Sequence, residues 1–148
     1  HAYAALGNEH LAGRDGYKKS CKLAMHYYEI GASLGSGDSA IEMAHLYKYD
    51  HWWWRKPNEE ECELEYKKWR KKATELWEWE ANNLQDTYAA YKLYHAFRPL
   101  GSKNPDPFRN LLKAKEWRDK TIKFSETSGD RFYGDAILRL EKNNSTVY

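Results

Sequence analysis

Apolar positions recur at helical spacing along most of the chain, and no stretch alternates as a half-buried strand would. The pattern predicts seven helices. The first covers 2–12 and ends at a glycine turn, 13–16. The second covers 18–34, with Leu23, Ala24, Tyr27, Tyr28 and Ala32 on its apolar side. Gly35-Ser36-Gly37-Asp38 reads as a helix stop followed by an N-cap, just ahead of a helix over 39–49. Asn58 is placed to cap a long fourth helix reaching about Asn82, and Glu59, Glu60 and Glu61 in its first turn complement the helix dipole. Three more helices are predicted over 87–97, 108–126 and 131–141. Between them stand a turn at 83–86, a proline-marked loop at 99–107 and Ser128-Gly129-Asp130. The stretch 50–57, with Trp52-Trp53-Trp54, fits no ordinary helix.

Short and long helices alternate, and a degenerate repeat runs through them. Leu6-Gly7-x-x-His10 corresponds to Met43-Ala44-x-x-Tyr47 and, more weakly, to Ala90-Tyr91-x-x-Tyr94. In the long helices Tyr27, Trp69 and Trp117 correspond, at intervals of roughly 40–50 residues. Each helix pair is too small to bury its apolar face alone, so stacking is the expected route to a core. Tyr27, Trp69 and Trp117 are expected to wedge between neighbours, and Gly7 and Ala44 to let helices approach closely.

These residues resemble the Sel1-like repeat family, relatives of the tetratricopeptide repeats. Ala2, Leu6, Gly7 and Gly13, with His10 in the family's tyrosine place, match the first half of its motif; Ala24, Tyr27, Tyr28, Ala32 and Gly35 match the second. The likeness is strongest over 2–38, partial over 39–82 and 86–129, and 130–142 reads as the first helix of a further unit. It departs from the family at the two inserts, 50–57 and 99–107. The resemblance implies an all-α chain: one domain over 1–148, a right-handed α/α superhelix of about three helix pairs plus a C-terminal helix. It implies a protein-binding surface and no catalytic residues.

Composition narrows the classes. The 24 basic residues nearly balance the 22 acidic ones, leaving a net charge of +2, which disfavours a nucleic-acid binder that relies on counterion release. Mean hydropathy is −0.98, and no run of about 18 uncharged apolar residues is present, so no membrane-spanning helix is expected. The chain starts at His1 rather than Met, so its natural start is expected to lie outside it. The compartment stays open, with the periplasm favoured over the cytoplasm by the resemblance.

Candidate chemistry is sparse. The tryptophan run is the most unusual feature; it suits an aromatic anchor for a partner as well as a cover over helix ends. The charges of 59–72 read as a solvated helix face with a Glu63–Lys67 pair. Glu42-x-x-His45 has a metal-pair spacing, but a two-metal bundle needs a second such pair and further carboxylates, so neither metal nor cofactor is expected. Cys21 and Cys62 are compatible with a disulfide in a secreted chain and equally with two small buried hydrophobes. No phosphate loop, dinucleotide fingerprint or nucleophile elbow occurs, so an enzyme is not expected. The expected contact residues, on the short helices and the tryptophan loop, are Tyr3, His10, Tyr47, Trp52, Trp53 and Tyr94. By analogy with stand-alone Sel1-like proteins, the leading expectation is an immunity protein that binds and neutralises a secreted bacterial toxin. An adaptor in a signalling or secretion complex and an envelope glycan-binding accessory are the alternatives, and a homodimer is compatible with exposed solenoid ends.

Overall fold

A computed structural model describes residues 2–14, 16–17, 19–49, 58–100 and 106–143. Among them the chain is all-helical, with α1 (Ala2–Ala12), α2 (Cys21–Ser33), α3 (Gly37–Lys48), α4 (Glu59–Leu84), α5 (Thr87–Phe97), α6 (Leu111–Ser128) and α7 (Phe132–Asn143). None of these helices is long and apolar enough to cross a membrane.

Local chemistry sets the boundaries. The Ser20 hydroxyl accepts from Leu23 N and opens α2 at Cys21. The third helix starts at Gly37, two residues before the expected 39, because Ser36 is the cap and accepts from Ser39 N at 3.1 Å. Asn58 accepts from Glu61 N at 2.8 Å, as a cap for α4 should. The sixth helix starts later than 108, because Asp106 folds the chain into a turn by accepting from Phe108 N, and Asn110 is the cap. Gly129 closes α6 at φ +80°, a left-handed conformation that glycine adopts without steric cost.

The chain divides into two compact units, His1–Leu76 and Trp77–Tyr148, with the boundary inside α4. The first unit is built on Cys21, Ala24 and Tyr28 of α2 with Met43 and Leu46 of α3; Leu11, Met25, Tyr47 and Trp69 pack against this cluster. Gly7 of α1 lies directly over the Tyr28 ring, where a Cβ would fall 2.3 Å from Cε1. The Tyr28 hydroxyl donates to Asn8 Oδ1 at 2.5 Å, which fixes the ring in that slot. Gly31 of α2 meets Ser39 of α3 as closely, with 2.0 Å between an added Cβ and the serine Oγ.

The second unit buries Trp77 and Ala81 at the end of α4, Ala89, Ala90, Leu93, Tyr94 and Phe97 of α5, Ala114 and Trp117 of α6, and Ile137 of α7. Gly134 of α7 crosses Ser125 of α6, whose Oγ accepts from Gly134 N at 3.1 Å. That hydroxyl satisfies one of the N–H groups that the first turn of a helix leaves open. Arg118 grips Glu141 with two hydrogen bonds, Nε to Oε1 and Nη2 to Oε2, tying α6 to α7.

Of the expected wedges, Trp117 is buried. Trp69 is only half-buried, at the rim of the first core, where its Nε1 donates to Glu65 at 3.1 Å. Tyr28, not Tyr27, fills the slot between helices, and the large side chain buried on α4 is Trp77, 2% exposed. Ala73, Trp77 and Ala81 form an i, i+4 row on the buried face of α4, and Trp69, one step before Ala73 in that row, packs against the rim of the first core.

Two serines at helix crossings should respond in opposite ways. The Ser39 hydroxyl is buried with no hydrogen-bond partner among the described residues, so Ser39→Ala should leave stability unchanged or raise it by up to about 1 kcal/mol. Ser125→Ala should cost about 1–2 kcal/mol by stranding Gly134 N. Gly7→Ala should cost about 1–3 kcal/mol, because the Tyr28 ring is held and cannot yield. Chemical denaturation of the three variants reads all of these; a stabilised Gly7→Ala chain would contradict the packing described.

Candidate functional site

Of the expected contact residues that the structure describes, one is exposed, one is half-buried and two are interior. Tyr3 is exposed on α1, and Tyr47 is half-buried on α3 against the first core. Burial, and after it the carboxylates of Glu65 and Glu29, pushes the Tyr47 phenol up to about 12. His10 is an interior group rather than a surface contact: its ring stacks on Tyr27 at 5.3 Å and meets the edge of Tyr17 at 5.2 Å. Tyr94 is wholly buried in the second unit, edge-on to His95 at 5.1 Å, so it too offers no contact surface. An apolar helix face and a ligand-facing one share the same spacing, and here core packing took these two positions. Trp52 and Trp53 lie outside the described residues.

Cys21 and Cys62 are both buried, and burial pushes Cys21 up to about 11, far from a reactive thiolate. Glu42 and His45 approach to 3.9 Å, but among the described residues no three His, Cys, Asp or Glu side chains gather to hold a metal ion.

A different set does assemble, on α5. Positions 89, 90, 93, 94 and 97 face the core; beside them Tyr88, Tyr91, Lys92, His95 and Arg98 form a half-buried stripe at i, i+3, i+4 spacing. Tyr133 of α7 joins the stripe, 4.9 Å from Tyr91 and 5.5 Å from Tyr88, ring centre to ring centre. Tyr91 stands edge-on to His95 at 4.5 Å. Lys92 Nζ lies 5.6 Å from the Trp77 ring and 5.9 Å from the Tyr88 ring, so its charge rests on aromatic faces. Arg98 lies 6.0 Å over Tyr94, and its Nη1 is buried with no hydrogen-bond partner among the described residues.

At the end of the stripe Arg109 Nη1 donates to the carbonyls of His95, Ala96 and Arg98, at 3.1, 3.4 and 2.9 Å. These are the oxygens that a helix C-terminus leaves open, and a cation there also offsets the dipole. Burial, then the charges of Arg98, Lys92 and Arg109, pushes His95 down to about 4. The site is therefore dry enough and positive enough to keep an imidazole neutral at pH 7.

Sequence reasoning did not single out Tyr88, Tyr91, His95, Arg98 or Tyr133 as a set. The signal was available: residues 87–105 contain no Asp or Glu, while tyrosines and cations repeat on one side of the helix. Set against known protein families, curated proteins and solved structures, the chain matches none.

The neutral His95 makes stability depend on pH. Its imidazole takes a proton near pH 4 when folded but near 6.5 when unfolded, so between those values the unfolded chain binds more protons. Stability should therefore be lost as pH falls through that window, by about 2–3 kcal/mol between pH 7 and pH 4.5. His95→Gln should flatten this part of the curve; an unchanged slope in denaturant titrations at several pH values would show that His95 does not carry it.

Proposed function

We propose that this chain is a non-catalytic protein-interaction module, a right-handed superhelix of Sel1-like helix pairs, that binds and neutralises a secreted toxin by covering it. The observation that carries the interaction reading is the α5 stripe: tyrosines and cations held half-exposed by a packed scaffold, with a buried guanidinium nitrogen left open. Tyr and Arg are the side chains that dominate binding energy at protein interfaces, because they bring large rigid area and directed donors together. The groups with shifted ionisation also favour this reading over catalysis. In the first unit burial raises Cys21, Tyr28 and Tyr47, which keeps these groups protonated rather than activated.

The superhelix rests on the pairing of consecutive helices within each unit and on the resemblance of 2–38 to the repeat motif. The toxin as occupant rests on that resemblance alone, and an adaptor would use the same surface.

Affinity capture from soluble and envelope fractions, followed by size-exclusion chromatography of the eluate, tests the reading. The expected result is one protein that co-elutes with the chain at a fixed stoichiometry. A secreted hydrolase whose activity the chain abolishes would fit the inhibitor, and a signalling or secretion component the adaptor. Capture of nothing from either fraction, with the chain folded on the matrix, would sink the interaction module.

A further inference from the structure

We propose that the α5 stripe, Tyr88, Tyr91, Lys92, His95 and Arg98 with Tyr133 of α7, receives an acidic segment of a protein partner, whose carboxylates meet Lys92 and Arg98. The inference rests on the interaction-module reading and adds the chemistry of what is bound.

Among the described residues Lys92 and Arg98 have no acidic partner within ion-pair distance. Residues 87–105 carry Lys92, Arg98 and Lys103 and no acid. Four carboxylates on α6 and α7 already have cations: Glu116 pairs with Lys120, Asp119 and Glu141 with Arg118, and Asp135 with Arg131. Lys92 is seated on rings, and Arg98 Nη1 has been taken from water without an acceptor among the described residues. A buried donor left open is costly, more so when charged; Arg98 as a whole is only half-buried, so a turn of its guanidinium toward an incoming carboxylate would relieve that cost. Three cations act on His95 strongly enough to help hold it neutral, so the field that would attract an anion is present in the free protein.

The surroundings favour a peptide over a nucleic acid. Two cations interleaved with tyrosines suit one or two carboxylates set among apolar residues. A phosphate backbone would need a longer basic track than a chain of net charge +2 offers. From Tyr88 to Arg98 the helix rises about 15 Å, the length of four to five residues of extended chain. The rings of Tyr88, Tyr91 and Tyr133 would take the apolar side chains of such a segment, and Lys92 and Arg98, about 9 Å apart along the axis, would take its acids.

Amide chemical shifts of the isotope-labelled full chain give the test. The probes are a capped peptide of about six residues alternating Glu and Leu, the same peptide with Gln for Glu, and a short single-stranded oligonucleotide. The acidic peptide should shift amides of Tyr88 to Arg98 and of Tyr133. The Gln peptide should bind about tenfold more weakly, and raised salt should weaken the acidic peptide alone. The double variant Lys92→Gln, Arg98→Gln should lose the acidic peptide by about the same factor, with Lys92→Gln alone as the second variant if the double one melts early. Equal binding of the Glu and Gln peptides, shifts elsewhere or none, or tighter binding of the oligonucleotide would each overturn the proposal. Its failure is separable from that of the module: a protein captured equally by the wild type and the double variant overturns the acidic segment and leaves the module. Peptide bound at the stripe with no protein captured does the reverse.

Discussion

Three helix crossings depend on a residue with no side chain. Gly7 under the Tyr28 ring, Gly31 against Ser39 and Gly134 against Ser125 let backbones close to a distance that no larger residue permits without displacement. Close approach multiplies weak contacts across the crossing and expels water from it. In the first unit it seats Tyr28, around which α2 and α3 build their cluster. In the second it brings a serine hydroxyl to the open N–H of α7, so the crossing is also a cap. Both units thus rest on small residues placed opposite one large or one polar partner, with glycine on α1, α2 and α7 in turn.

The helices were legible because their ends are written in single residues. Asn58, Asp86 and Gly129 each act locally, through a hydrogen bond within three residues or through a backbone angle, whereas the Ser20 cap starts the second helix at Cys21 rather than at the expected 18. The errors lie where two local signals compete. Ser36 outranked the later cap because its side chain accepts from Ser39 N, and Asp106 turned the chain where helix propensity alone would have started α6. The register of the repeat was harder. Repeat spacing points to Trp69 on the long fourth helix, whereas the buried face runs through Ala73, Trp77 and Ala81, a distinction of phase that composition does not report.

The surface stripe was less legible than the core for a physical reason. A tyrosine at a short-helix position can face inward, as Tyr94 does, or lie half-exposed, as Tyr88 and Tyr91 do three or six residues earlier. The choice depends on which neighbouring helices arrive, and α7 brings Tyr133 to two of these rings from more than 40 residues away. His10 shows the same in the first unit, where Tyr17 and Tyr27 enclose its ring. The absence of acids across 87–105 was visible throughout, but it acquires meaning only once the carboxylates around it are seen to be paired.

The Arg109 guanidinium has a consequence for how this chain can change. Through three carbonyls at the end of α5, and with Asn110 N donating to Phe97 O at 2.9 Å, it staples both feet of the connection between α5 and α6 to one point. These contacts hold the two helices in register without help from the residues between them. Lengthening a closed loop costs only about 0.6 kcal/mol per doubling. Residues added ahead of Asp106 should therefore cost either helix little, whereas Asp106 and Phe108 belong to the turn that starts α6. That makes the span ahead of Asp106 the natural place for relatives to diverge in length, and for an inserted epitope or fluorophore to ride without disturbing what lies below.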